Sequence, residues 1–354
     1  MMRGSRSSGR ASTAWTARPC WPPATSARLT RFPYSMPTEL SSCPDRLRSP
    51  GTMRKIRTYH EVESQTGDLL VDQIRGQRRR LDSRLAGIRN LVAVGSGKGG
   101  VGKSLVTANL AAALAAEGCT VGALDADLNG PSLARMLGAS GKRLVDGAEG
   151  VVPAPAAGGV RVMSMELLQS EADAPLRWRA PSGDGFLWQS SIETGAVREF
   201  LSDVAWGDLD FLLMDLPPGT DKMERVFQLL PGLETLLLVT TPSEMSRRVV
   251  ARAARLAREQ GIPTVGLVAN MTEYVCPCCG HSDPLFPGDG VARLAAATGL
   301  EIWGRIPFDP RLGEASDRGV PAVVASEDSP SARAFRALAR RIAEPREAGE
   351  EQAR

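Results

Sequence analysis

Three short stretches of this chain carry residue types whose spacing can do chemistry. The first is GSGKGGVGKS at 95–104, in which Gly97, Gly102, Lys103 and Ser104 fit the pattern G-x-x-x-x-G-K-[ST]. An apolar run, LVAVG at 91–95, precedes it and a helical pattern at 103–117 follows it, which is the setting such a loop requires. Glycines let backbone N–H groups turn inward around phosphate oxygens, and the following helix adds its N-terminal partial positive charge. Lys103 is then expected to reach the β- and γ-phosphates of ATP, and the Ser104 hydroxyl to ligate Mg2+. The expected nucleotide cradle is Gly97, Lys98, Gly99, Gly100, Val101, Gly102, Lys103 and Ser104.

The second stretch is acidic. DADLNGPS places Asp125 and Asp127 two residues apart at a strand end, pointing the same way. By itself it also reads as an Asx turn with Ser132 capping a helix. Further on, the apolar residues of DFLLMD (210–215) carry Asp215 to the sheet edge as a second Mg2+-side acid. LPPG follows, and Pro218 and Gly219 form an expected switch whose Gly219 N–H senses a γ-phosphate. Phosphoryl transfer asks a protein mostly to position groups and stabilise charge. An activated nucleophile is not needed, and two histidines in all leave little material for one.

The third stretch is VCPCCGH at 275–281, with three of the six cysteines and one of the two histidines. Its residues alone leave four readings open: half of an iron–sulfur site, half of a four-thiolate zinc site, a redox C-x-x-C pair, or turn cysteines. His281 reads as an extra ligand or, more plainly, as a surface side chain. Six cysteines in 354 residues are too sparse for a disulfide scaffold, so reduced thiols and a cytoplasmic location are expected.

The elements that must position these residues alternate in type. Apolar strand-like runs fall at 91–95, 120–125, 160–164, 210–215, 235–240 and 264–270, several of them apolar almost throughout, as strands buried on both faces are. Helical patterns fall at 103–117, 190–202, 243–260 and 331–343. The expected fold is α/β, a doubly wound, mostly parallel sheet with ligands beyond the C-terminal strand ends. Upstream, Leu70, Ile74, Leu81, Leu85 and Ile88 form one stripe of an amphipathic helix, with Arg78, Arg79 and Arg80 elsewhere on its surface.

Charge is unevenly placed. Residues 1–52 hold eight arginines against Glu39 and Asp45, while the other 302 residues carry 35 basic and 38 acidic side chains. The body is thus slightly acidic, which argues against nucleic acid as a partner. No run of 18 apolar residues exists, and the C-terminal stretch ends too acidic for a membrane anchor. With 22 Ser, Thr or Pro, residues 1–52 read as disordered or as an over-extended start, superficially like a transit peptide, with Met53 opening the protein. The expected division is that extension, an amphipathic segment at 53–90, an ATPase domain at 91–345 and a disordered tail at 346–354.

GKGGVGKS, DADLNGPS, DLPPGT, VANM and VCPCCG occur in this order, supported by GVRVMSM, WGDLDFLLMD and GRIPFDPRLGEASDRGVP. Over roughly residues 90–340 the chain resembles the Mrp/NBP35/ApbC family of P-loop ATPases, iron–sulfur cluster carriers of the deviant Walker A (ParA/MinD/nitrogenase iron protein) class. The resemblance implies that Lys98 contacts nucleotide across a homodimer interface. It implies that Asp127 positions the attacking water, that Asp125 supports the metal or the loop lysine, and that Asn270 binds the adenine edge. Lys98, Lys103 and Asp127 are then the catalytic set, and Ser104, Asp125 and Asp215 the Mg2+ set. Cys276 and Cys279 of two copies would hold one labile [4Fe–4S] cluster, received from scaffold or donor proteins and passed to apoproteins. A chain with one C-x-x-C supplies two thiolates, and two-fold symmetry supplies the other two. Three departures stand out: Cys278 adds a third thiol, the family's GTGD is here GTDK (219–222), and its WRGPM is WRAPSGDGFLWQ. Two other classes compete: a MinD/ParA-type ATPase acting as a spatial regulator, with the cysteines holding structural zinc, and reductive electron transfer of the nitrogenase-iron-protein kind.

Overall fold

A computed structural model describes residues 67–168, 185–243, 246–276 and 278–344. The expected extension at 1–52, the first part of the amphipathic segment and the tail at 346–354 lie outside the described residues, as do the first residues of WRAPSGDGFLWQ. The described residues belong to one compact unit, Met53–Arg354.

The strands are β1 (Ile88–Ser96), β2 (Val121–Asp125), β3 (Val145–Gly147), β4 (Gly150–Val152), β5 (Ala154–Pro155) and β6 (Arg161–Met163). They continue with β7 (Leu209–Asp215), β8 (Thr235–Thr240), β9 (Thr264–Val275), β10 (Ser282–Pro284) and β11 (Glu301–Phe308). The helices are α1 (Gly67–Leu85), α2 (Lys103–Ala116), α3 (Leu133–Met136), α4 (Gly185–Asp203) and α5 (Thr220–Leu229). After them come α6 (Ser246–Glu259), α7 (Gly290–Thr298), α8 (Pro310–Asp317), α9 (Ala322–Ala325) and α10 (Pro330–Ala343).

The main sheet runs β10–β9–β8–β1–β7–β2–β6–β5, with β11 also paired to β9. Its interior pairings are parallel, as is β11 with β9. The edge strands β5 and β10 run antiparallel, and β3 and β4 form a separate hairpin. The expected doubly wound, mostly parallel sheet is therefore the fold.

Alternate side chains of the central strands enter two different cores. Leu91 and Ala93 of β1 join Leu212 and Met214 of β7 on one face, covered by α1, α4, α5, α6 and α7. Val92 and Val94 join Phe211 and Leu213 on the other, covered by α2, α3, α8, α9 and α10. This two-sided burial explains strands without polar alternation. It also explains α2, whose NLAAALAA run is apolar on nearly every side and is packed by α3, α9 and α10.

Two boundaries differ from expectation. The stripe through Ile88 predicts a continuous helix, but α1 stops at Leu85 and Ile88 opens β1, where it pairs with Leu209 of β7. The strand β11 has no sequence signature because Gly304 and Arg305 interrupt EIWGRIPF, and its pairing with β9 is irregular at Ile302/Gly304 and Ile306/Phe308. Arg78, Arg79 and Arg80 are exposed, and Arg80 pairs with Asp203 of α4 at 3.2 Å. No described helix is long and apolar enough to cross a membrane.

Trp206 fixes the turn into β7. It is fully buried, its indole N–H donates to the Phe200 carbonyl at 3.1 Å, and its ring lies against Gly122 of β2. Trp206→Ala should cost about 3–5 kcal/mol of stability from lost burial and the cavity left behind. Urea unfolding measures this, and a loss below about 1 kcal/mol would contradict the packing.

Candidate nucleotide site and cysteine hairpin

The phosphate-loop residues connect the end of β1 at Ser96 to the start of α2 at Lys103. Gly99 and Gly100 are exposed, while Val101 is buried and anchors the loop. Gly102 sits in the left-handed region (φ 80°, ψ 27°), and a Cβ there would come within 2.3 Å of the Asn270 amide nitrogen. Only glycine meets both demands. Asn270 is 2% exposed and donates its side-chain amide to the Val101 carbonyl at 2.9 Å. The residue expected at the adenine edge thus also braces the loop from β9. Next to it, Met271 is a non-glycine residue with positive φ (58°). Lys98 Nζ reaches the Ser243 hydroxyl at 3.4 Å, beyond the end of β8.

Asp215 is the point on which the site converges. Its carboxylate meets Lys103 Nζ at 2.6 Å, the Ser104 hydroxyl at 2.5 Å and the Thr107 hydroxyl at 2.9 Å. The Lys103 and Asp215 side chains are 6% and 1% exposed, so each charge depends on the other for its solvation. Thr107 escapes the motif because it lies one turn beyond Lys103. The helical step of four, which also lets it bond the Lys103 carbonyl at 3.0 Å, is the signal that finds it. Ser104 and Asp215 bring a hydroxyl and a carboxylate together, a hard-oxygen pair that fits Mg2+.

Asp125 stands in register beside Asp215, on β2. One oxygen accepts from the Asp127 N–H at 3.1 Å, and the other from the Ser132 and Leu133 N–H groups at 3.0 and 3.1 Å and the Ser164 hydroxyl at 3.2 Å. The Asx-type bond to Asp127 is present, but the Ser132 side chain makes no cap bond, and Asp125 supplies the cap of α3 instead. Ser164, at the end of β6, is a second partner without a motif. Burial, and then the neighbouring Asp215 carboxylate, push the Asp125 pKa up to about 7. Asp127, half-buried, is also pushed up, chiefly by burial. Gly219 (φ 100°) precedes α5, and its N–H donates to the Ser96 carbonyl at 3.3 Å, joining the expected switch to the root of the phosphate loop. Pro218 precedes it, half-buried.

The cysteines occupy the turn between β9 and the short antiparallel β10. Cys276 N–H donates to the His281 carbonyl at 2.8 Å, and Gly280 N–H donates to the Cys276 carbonyl at 2.9 Å. Gly280 takes the positive φ (70°) that closes the turn. The backbone N–H groups of Cys278 and then Cys279, near the Cys276 sulfur, hold its pKa below the ordinary thiol value. Cys278 and Cys279 are exposed and all three thiols are free. His281 Nε2 meets Asp283 Oδ1 at 3.2 Å. Among the described residues of one chain, no group of three or more His, Cys, Asp or Glu side chains is placed to hold a metal ion.

Two outcomes follow from this geometry. Lys103→Ala leaves a buried carboxylate unpaired and removes the phosphate cation, so ATP affinity should fall by at least about 100-fold. Calorimetry measures it, and affinity within threefold of wild type would remove the phosphate-loop assignment. For Asp125 the folded pKa lies above the unfolded value of about 4. Folding therefore takes up a proton between about pH 4 and pH 7, and the stability tied to this group declines as pH rises through that window. Denaturant midpoints should show a shallower decline in Asp125→Asn, and an unchanged slope would refute the burial effect.

Comparison with known proteins places the chain. Residues 87–343 match the family described as ParA, NUBPL iron-transfer P-loop NTPase. The iron–sulfur cluster carrier protein of Methanocaldococcus jannaschii is 38% identical over 269 residues, which span 76% of this chain and 89% of that protein. The carrier protein of Saccharolobus solfataricus is 34% identical over 306 residues, 86% of this chain and 97% of that one. Among solved structures, a nucleotide-binding protein from Archaeoglobus fulgidus in complex with ADP is similar with TM-score 0.60 and 35% identity, over 73% of this chain and 96% of that one. Pyrococcus furiosus MinD, at TM-score 0.51 and 24% identity over 72% of this chain and 99% of that one, shares the fold. In agreement with the resemblance in its motifs, the chain belongs to the NUBPL iron-transfer family of P-loop NTPases.

Proposed function

We propose that this protein is an ATP-hydrolysing carrier that holds a labile [4Fe–4S] cluster between Cys276 and Cys279 of two copies and delivers it to apoproteins. The observation that carries the reading is the cysteine turn. Two backbone bonds fold Cys276 and Cys279 into one tight turn with free thiols, as suits ligands that must meet a metal. One turn supplies two of the four thiolates a cluster needs, and a two-fold axis supplies the others. Cys278 lies between the pair and lends its N–H to the turn. Iron–sulfur scaffold or donor proteins and apo acceptors are the partners this requires. Zinc in the same four-thiolate geometry is the competing occupant.

At the other end, the residues around Asp215 work on ATP. Lys103, paired with Asp215, is the cation we assign to the β- and γ-phosphates, its charge balancing what the transfer develops. Mg2+ held by Ser104 and Asp215 would neutralise phosphate charge. Asp127 orients the attacking water from the end of β2, and Asp125 fixes the segment that carries it. Lys98 reaches nucleotide bound by the other copy, and Asn270 holds both the loop and the adenine edge. The Gly219 N–H, bonded here to the Ser96 carbonyl, would exchange that acceptor for the γ-phosphate and so report it to α5.

Anaerobic reconstitution with iron and sulfide tests the carrier reading. Wild type should gain the visible absorbance and about four irons per dimer, and pass them to an apo acceptor. Cys276→Ala/Cys279→Ala should gain neither. Equal iron in the double variant would sink the reading, and zinc alone in protein isolated without oxygen would make the turn a structural site.

A further inference from the structure

One carboxylate on α4 touches both segments that flank the expected γ-phosphate position. Glu193 Oε1 accepts from the Asn129 side-chain amide at 2.7 Å, and Glu193 Oε2 faces Lys222 Nζ at 3.6 Å. Asn129 lies two residues after Asp127, and Lys222 three residues after Gly219. Between them stands a helix anchored in the core through Val197, Phe200 and Leu201. The Glu193 side chain is 16% exposed and Lys222 37%, so this pair is better shielded than an ordinary surface contact. Lys222 also lies near enough to Asp127 to draw its carboxyl towards the ionised form. The lysine belongs to the GTDK departure, where the resembling family carries GTGD.

We infer that Glu193 is a positioning residue for ATP hydrolysis: it clasps the Asp127 segment to the first turn of α5 through Asn129 and Lys222. The Asp127 segment is irregular and alone would sample several orientations, whereas Lys222 stands on a regular helix. A shared acceptor on a packed helix makes their positions interdependent, because losing one donor loosens the carboxylate that holds the other. Transfer to water is sensitive to such placement, since small displacements of an orienting group are costly in rate. Binding of ATP through the phosphate loop does not use these contacts.

The inference rests on the ATPase reading, and its test separates the two. Full-length wild type, Glu193→Gln, Lys222→Met, the double variant and the swap Glu193→Lys/Lys222→Glu are compared in steady-state MgATP hydrolysis. Each single variant should lose about fivefold or more in kcat with KM for ATP within about twofold, which separates positioning from ground-state binding. The double variant should be no slower than the slower single, and the swap should recover at least half of the loss. Hydrogen exchange without nucleotide gives a readout independent of turnover. Glu193→Gln should speed exchange of amides in both 127–132 and 220–223, and Lys222→Met should do so in 127–132, a segment whose hydrogen bond to the clasp runs through Glu193 and Asn129. A wild type that hydrolyses no ATP overturns the ATPase reading, and exchange then decides the clasp. Unaltered exchange in 127–132 in the Lys222 variant, additive kinetic losses, or kcat unchanged in Glu193→Gln each overturns it.

Discussion

The ion pair between Lys103 and Asp215 governs the rest of the site. Two opposite charges almost without solvent persist only if their partners are complete, since an unpaired charge in such a place costs about 3–5 kcal/mol. Ser104 and Thr107 complete the set, and both come from the first turns of α2. The pair therefore requires that α2 begin at Lys103, that Gly102 adopt the left-handed turn before it, and that β7 deliver Asp215 beside β1. The two-sided core meets these requirements. Strands buried on both faces fix the height of each C-terminal end, and the polar groups are left where the strands stop.

Much of this was legible in the residues alone. Glycine spacing, a lysine and a hydroxyl between a strand and a helix have few structural solutions, and the apolar runs of β1, β7, β8 and β9 announce two-sided burial. The interactions that escape are those set by register across strands or by helix docking. That Asp125 stands beside Asp215 depends on β2 pairing with β7 and not with β1, its predecessor in sequence. Ser164 is an ordinary serine until β6 joins β2. Glu193 reads as a surface acid on a helix, and only the packing of α4 brings it to Asn129 and Lys222. The strand β11 hides for a different reason: a strand with two pairing irregularities and mixed exposure has no period to detect.

The two chemical centres are joined by a single strand. Asn270 braces the phosphate loop from β9, and Cys276 follows six residues on, where that strand ends. Between them, Met271 interrupts the extended conformation with its positive φ. The strand pairs with β8 as far as Ala269, with β11 at Asn270 and Tyr274 and with β10 at Glu273–Val275, so it is held as part of the sheet and not as a free arm.

The cysteine turn has a thermodynamic consequence of its own. Two backbone hydrogen bonds, Cys276 N–H to the His281 carbonyl and Gly280 N–H to the Cys276 carbonyl, hold the described residues of the turn. A loop that must be ordered on capture consumes part of the interaction free energy, and returns it as an entropic gain when the cargo leaves. Here the backbone already supplies part of that ordering among the described residues. On the proposed reading, in which two copies share the cargo, the strength of the hold is set by the sulfur bonds and by the meeting of those copies, and the contact between them is where a grip would be tightened or relaxed.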